Sequence, residues 1–417
     1  METGVSLQGA RTSTPQPFSF PQFRAIWLGS LCGNSALLIL GVGSAWLMSS
    51  LTTSPRLIAG VQTAMMLPVM LFGMAAGAIA DVYDTRRVAL AALGIGGCGA
   101  AVLAYSAGTA SVTTPTLLLG CFLAGTGAAL FAPAWQASVG RQVPDHAVPP
   151  AIALNGIGYN LVRSMGPAIG GVIVALGGAG AAFAAALALY LSAAAVFAHW
   201  RPRPEKRDQP TSSVAGAIVS GFGYVAKAAP VRALVLRALA IGLAGGSLSG
   251  LLPLVARRQL EGGAEMYGML LGLIGCGSLA GAAFVAPLHA RLRGERIVGA
   301  CTIATGLCYA VIGSSGSVFV TGATLAILGA SWMVMVTVLN IGVQRAVPAW
   351  IAGRTLAAYQ AAIVGGVAVG SWLWGAVAEA IGAAGALVLS GVVCAATAAL
   401  TRWLPVPDGE SSRRPNE

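Results

Sequence analysis

The sequence predicts an all-α integral membrane protein with twelve spanning helices in two six-helix halves. Three observations carry this. The chain is 56% hydrophobic and 9% charged, against about 25% charged residues in an average soluble domain, and its mean hydropathy is +0.79. Its apolar runs repeatedly reach the ~20 residues that a helix needs to cross a ~30 Å hydrocarbon layer. One polar stretch, 201–213 (RPRPEKRDQPTSS), separates the runs into two sets of six.

Residues 1–22 read as a cytoplasmic tail without an apolar core, so no cleavable leader is expected before the first span. The N-terminal half, 23–200, holds predicted helices at 23–48, 57–80, 88–106, 116–139, 151–176 and 179–200. They are apolar all round, as helices in lipid or in a bundle interior are. The linker spans 201–230. Proline and charge keep its first part out of any core, whereas 214–229 places Val214, Ile218, Phe222 and Val225 on one stripe with Lys227 nearby, the pattern of an interfacial helix. The C-terminal half, 231–404, repeats the arrangement at 233–255, 267–288, 297–314, 318–342, 355–380 and 384–403, and 405–417 is a second cytoplasmic tail. Two matching halves around a basic linker are the layout that secondary transporters build from internal repeats.

The formal net charge is +11, from 24 Lys and Arg against 13 Asp and Glu. All but four of these cations lie in alternate connections, tails or adjoining helix ends. Arg56, Arg257 and Arg258 fall in the opposite connections, and Arg163 falls mid-helix. This asymmetry is the positive-inside pattern, which places both termini and the linker in the cytoplasm and points to the inner membrane of a bacterium; it does not point to nucleic acid. The seven cysteines all sit in apolar runs without C-x-x-C spacing, so no disulfide or metal site is expected. No phosphate-loop pattern, Ser/His/Asp grouping or paired carboxylates occur, so neither an ATP-driven pump nor an enzyme is expected, and no cofactor. The many glycines are explained by lipid as solvent, where small residues let helices approach; Gly73/Gly77 and Gly166/Gly170 have the small-xxx-small spacing.

The stretch 77–87, GAIADVYDTRR, is a charged turn between two spans and must lie at the water boundary. Its G-x-x-x-D followed by R-R resembles the signature between the second and third helices of major facilitator superfamily transporters. Gly77, Asp81, Arg86 and Arg87 match; Val82, Asp84 and Thr85 depart from it. The counterpart in the second half, near 281–296, keeps Arg291, Arg293 and Arg296 but has Val285 where an acid would stand. The resemblance implies a conformational switch in which Asp81 meets the start of helix 11 near 353–355, with Arg354, Arg86 and Arg87 close by. The alternative is a solvated turn that only fixes topology.

Helix 5 reads NGIGYNLVRSMGPAIGG, and Gly166, Pro167, Gly170 and Gly171 resemble the G-P-x-x-G-G motif of exporter, or antiporter, branches of the superfamily. Proline removes a backbone donor and bends the helix, while the glycines permit close packing across the seam between halves. With WLMSSLTTSP, LFAPAWQA and GYVAKAAPVRALVLR, the chain resembles, over almost its whole length, the branch containing the enterobactin exporter and related efflux proteins.

Arg163 lies near mid-membrane, where a cation costs several kcal/mol unless it faces a cavity or a partner. It is either a cavity cation or an arginine bonded to carbonyls and amides. Asn34, Gln62, Asn155, Asn160 and Gln360 are its candidate neighbours in a substrate cavity, and Trp332 is a candidate aromatic wall. No acid lies mid-span, so proton coupling is implied by the resemblance alone. The expected function is a monomeric secondary exporter of a small amphiphilic molecule, siderophore-like or drug-like, working by alternating access in the bilayer. An importer of the same superfamily, or a non-transporting receptor or assembly factor on the same fold, are the alternatives.

Overall fold

The computed structural model describes residues 17–201, 216, 223–402 and 404, with only the backbone at 81, 349, 350, 401 and 402. Every regular element among them is helical. The first four helices are α1 (Pro21–Leu51), α2 (Pro55–Val82), α3 (Thr85–Gly108) and α4 (Thr114–Ala137). Their starts follow from local chemistry. Proline stands in the first turn of α1, α2 and α4, where its missing N–H is no loss. The side chains of Ser54, Asp84 and Thr113 accept from backbone N–H groups that a helix N-terminus leaves unpaired.

Ten helices among the described residues are long and apolar enough to cross a membrane. Two of them double back. Val148–His199 runs for 52 residues, which as a straight helix would be about 78 Å long, far more than the bilayer needs. It is broken at Gly178, whose φ of +73° lies in the left-handed region that suits glycine. Its arms, 148–177 and 179–199, are α5 and α6. The long helix α1 measures their direction: Gly158 abuts Trp27 and Gly170 abuts Ile39 and Val42, whereas Ala182 abuts Gly43 and Val196 abuts Gly29. The chain therefore climbs alongside α1 and returns.

After α7 (Ala229–Leu254), which runs into a π-helical turn at Val255–Gln259, come α8 (Ala264–Arg291), α9 (Gly294–Ser314) and α10 (Val318–Arg345). Ala349–Thr397 is broken in the same way at Gly382, φ +78°, into α11 (349–381) and α12 (383–397). Gly242 and Gly246 of α7 meet Ile363 and Gly370 in parallel, while Gly306 and Gly313 of α9 meet Gly391 and Ala384 in antiparallel. Counting each hairpin as two gives twelve segments among the described residues, from ten helices long and apolar enough to span. The last is shorter than its apolar run, because it tightens into a 3-10 turn at Ala398–Arg402. Of the interfacial stripe expected at 214–229, Val214, Ile218 and Phe222 lie outside the described residues; 223–227 is helical, and Val225 is buried with Met74, Val231 and Ala358.

The turns bearing Asp84, Arg86, Arg141 and Arg293 define a basic end of the bundle; Gly178, Gly382 and the α1–α2 connection lie at the opposite end. Packing differs between them. The main core runs through the N-terminal half and enters the C-terminal half through Leu248, Leu251, Tyr267 and Leu270, towards the opposite end. At the basic end the C-terminal half has its own core, around Leu234, Ile241, Val298, Val338 and Tyr359. A small cluster around Met74 and Ala358 links the halves there.

Candidate functional site

The halves are tied together at the opposite end. On the α5–α8 side the backbones touch: a Cβ on Gly171 would lie 2.5 Å from the Gly268 Cα, and the buried Ser164 hydroxyl donates to the Gly275 carbonyl at 3.0 Å. On the α2–α11 side the Thr63 hydroxyl donates to the Ala368 carbonyl at 2.8 Å. Arg56 pairs with Glu379 at 3.9 Å and lies over the Trp372 ring, while Ser54 donates to Glu379. Arg257, in the π-helical turn, donates to the Ser49 hydroxyl at 3.1 Å and lies over Trp46. Trp46 in turn stacks on Tyr267 at 6.4 Å. Sequence reasoning missed this set, whose members come together from distant parts of the chain.

At the basic end the turn expected to act as a switch has a defined shape. Asp84 caps α3, its Oδ1 accepting from the Arg87 N–H at 2.9 Å, so this departure from the motif has a structural use. Arg86 reaches the end of α6, its Nε donating to the Phe197 carbonyl at 3.1 Å and its terminal nitrogen to that of Ala198. A cation there satisfies carbonyls that a helix C-terminus leaves open. Arg87 lines a groove with Ile79, Tyr83 and Val88. Arg354 is half-buried near the start of α11. Asp81 lies in the last turn of α2, and its side chain falls outside those described. Nothing lies within 4 Å of where a Cβ on Gly77 or Gly353 would stand. The Gly73/Gly77 spacing, read from sequence as a packing device, is thus unused for close approach here.

The glycines of helix 5 are used. Gly166 and Gly170 press on Leu38 and Ile39 of α1, within one half, and Gly171 presses on α8 across the seam. Pro167 lies inside the helix; having no N–H, it leaves the Arg163 carbonyl without its helical donor. Ile157, Leu161, Met165, Ile169 and Val172 form an exposed apolar stripe at helical spacing. Tyr159, Asn160 and Arg163 lie on a different side, and Tyr159 approaches Trp135 of α4 at 6.1 Å. An apolar stripe belongs to lipid and a polar one to the bundle interior. Arg163 is exposed and makes no hydrogen bond or ion pair among the described residues. Of its two readings, the carbonyl-bonded one is therefore not the arrangement in this structure.

The remaining candidates divide. Asn155 is 7% exposed, with neither end of its amide hydrogen-bonded. Asn160 and Asn34 each donate back to their own helix, at Gly156 and Ser30. Gln62 is half-buried and Gln360 exposed. Trp332 packs on Gly245 of α7 as part of the C-terminal core, a wall within one half. A cation missed from the sequence is Arg237 of α7. It is 1% exposed and holds Glu295, at the start of α9, with one nitrogen 2.7 and 2.9 Å from the two carboxylate oxygens. The sequence signal was the acid in GERIV, at the first turn of a helix.

A family model described as transmembrane secretion effector matches residues 12–417. The chain is 25% identical over 256 residues to the staphyloferrin A transporter of Staphylococcus aureus (strain NCTC 8325 / PS 47); the match takes in 59% of this chain and 63% of that protein, less than two thirds of its length. Among solved structures, the nucleoside transporter NupG superposes with a TM-score of 0.75 at 11% identity, over 92% of this chain and 99% of that one. A D-xylose–proton symporter superposes with a TM-score of 0.71 at 14% identity, over 93% and 98%. Similarity at this level of identity shows a shared fold.

Proposed function

From the premise that this chain belongs to the transmembrane secretion effector family of major facilitator transporters, we propose that it exports a small amphiphilic molecule from the cytoplasm by alternating access. One observation carries the reading. The two halves share a core at the opposite end and keep separate cores over most of the basic end, with the polar side of α5 between. Such a molecule is built to rock, and the arrangement corresponds to the state that admits substrate from the basic end. The positive-inside distribution supports a cytoplasmic position for that end. The Gly166–Pro167–Gly170–Gly171 run favours export over import, and Arg163 favours an anionic or neutral substrate over a permanent cation.

Uptake into inside-out vesicles, measured with and without a pH gradient, tests both direction and coupling. Staphyloferrin A, from the name of the relative, and a macrocyclic drug are the first substrates to try, with a quaternary ammonium compound as the counter-case. Accumulation of the first two is expected. Accumulation only in right-side-out vesicles would make the chain an importer, and efficient carriage of the quaternary cation would overturn the charge argument. Single cysteines at Ser213 and Ser315, in a cysteine-free background, should label from opposite faces; labelling of both from outside intact cells would overturn the orientation.

A further inference from the structure

We propose that the interior side of α5, together with the last turns of α4, is a binding site for a planar aromatic acid. The site deepens the transport reading, on which its biological use rests. Asn155, Tyr159 and Arg163 follow one another at intervals of four, so they stack on neighbouring turns along one side of α5. Helical side chains lean towards the N-terminus, which brings the Arg163 guanidinium back over the turn of Tyr159.

Three features of this track point to a ligand. Arg163 is a cation in the apolar stretch of α5 with no hydrogen bond or ion pair among the described residues. Tyr159 is 41% exposed, and its ring is backed by Trp135 at 6.1 Å, which is itself stacked on Phe131 at 6.5 Å with an 8° interplanar angle. This is a rigid aromatic platform with one open side. Finally, polar atoms beside it are buried and unmatched: the Trp135 Nε1–H, in a residue 5% exposed, and both the Oδ1 and the Nδ2 of Asn155, in a residue 7% exposed. Unsatisfied buried donors and acceptors are uncommon in native proteins, and three such atoms, one on α4 and two on α5, call for a partner.

The chemistry of the partner follows. A carboxylate or sulfonate would meet Arg163 in a charge-assisted, bidentate contact. A flat ring would stack on Tyr159. Ring hydroxyls or carbonyls would reach the Trp135 N–H and the Asn155 amide. A saturated acid would use the cation but not the platform, and a neutral aromatic the reverse.

The test is binding of 2-naphthoate to the purified full chain in lipid nanodiscs, by calorimetry, against 2-naphthamide and cyclohexanecarboxylate. Naphthoate should bind at least about tenfold more tightly than either comparison compound. Arg163→Gln should abolish the preference for acid over amide, while Arg163→Lys retains part of it. Tyr159→Leu should abolish the preference for the aromatic over the saturated acid, while Tyr159→Phe retains it. The two conservative variants guard against simple misfolding. Absence of naphthoate binding, equal affinity for acid and amide, or indifference to both Arg163→Gln and Tyr159→Leu would overturn the site. Vesicle uptake of another substrate with no naphthoate binding would sink this site alone, whereas naphthoate binding with no transport of any probe would leave the site and sink the transport reading.

Discussion

Replacing Gly171 by alanine adds one methyl group at the seam between the halves. That carbon would stand 2.5 Å from the Gly268 Cα and 3.0 Å from the Ala264 carbonyl oxygen and the Gly268 nitrogen. Carbon atoms pack best at about 3.5–4.0 Å, so α5 and α8 must part by about 1 Å at this level. All three neighbours are backbone, so no side chain can swing aside. Overpacking of this kind costs about 1–3 kcal/mol. The cost falls only on the state in which the halves touch at the opposite end, and vanishes when they separate there. The population should therefore shift by roughly 5- to 150-fold towards opening at that end. Spin labels at Leu176 and Glu265, both exposed near the contact, would report the change as a longer component in the distance distribution. Gly94→Ala, on α3, is the control, since nothing lies within 4 Å of its added carbon, and should leave the distribution unchanged. A wild-type distribution for Gly171→Ala, or an equal shift from Gly94→Ala, would refute the reasoning.

Three further outcomes are expected. Glu379→Gln removes an ion pair whose side chains are 46% and 38% exposed, a setting worth about 0–1 kcal/mol; the same labels should show a smaller shift than for Gly171→Ala, and a larger one would be inconsistent with the packing account. Glu295→Gln leaves the Arg237 cation buried at 1% exposure without its carboxylate, which should cost about 3–5 kcal/mol and lower the thermal unfolding temperature in detergent. The double replacement Arg237→Met with Glu295→Leu should recover most of that loss, and a double variant less stable than the single would contradict it. On the proposal that the 77–87 turn is a conformational switch, Asp81→Asn should leave the protein folded, shift it towards opening at the basic end and slow turnover, since an amide would be drawn less than a carboxylate to a helix N-terminus such as that of α11. Arg87→Ala should act in the same direction more weakly, and unchanged distances between labels on the basic ends of α2 and α11, with normal transport, would reduce the turn to a topology marker.

The helices were legible because lipid imposes one requirement, continuous apolar length with internal hydrogen bonding, and that requirement is written locally. The charge pattern was legible for a similar reason. Contacts between distant segments were not. Arg237 and Glu295 are separated by 58 residues, and Ser54 and Glu379 by 325; only the fold brings each pair together. Arg237 read as one of many cations near a helix end, and nothing local marked it as buried. The role of Asp84 is legible locally, since an Asp directly before a helix is an ordinary N-cap. Small-residue spacing proved ambiguous: Gly166/Gly170 and Gly73/Gly77 look alike in sequence, and only the first pair meets a neighbouring helix. The Tyr159–Trp135 platform joins two helices, so neither helix announces it alone.

The three arginines that break the charge asymmetry have a common explanation. Arg56, Arg257 and Arg258 stand at the end where cations are otherwise scarce, and each reaches across the seam. Arg56 leaves the N-terminal half for Glu379 and Trp372. Arg257 and Arg258 leave the C-terminal half for Ser49 and Trp46, and for the Thr53 carbonyl at 3.4 Å. A topological signal would gain nothing from cations there, but a reversible tie would. Exposed ion pairs and cation–π contacts are each worth about 1 kcal/mol or less, too little to hold the halves against a substrate that favours the other state. The buried glycine contacts define how closely α5 and α8 fit, and the arginines decide which residues meet when the fit is made. A seam of this kind orients each closure without making it permanent, which is what a carrier that must open at that end on every cycle requires.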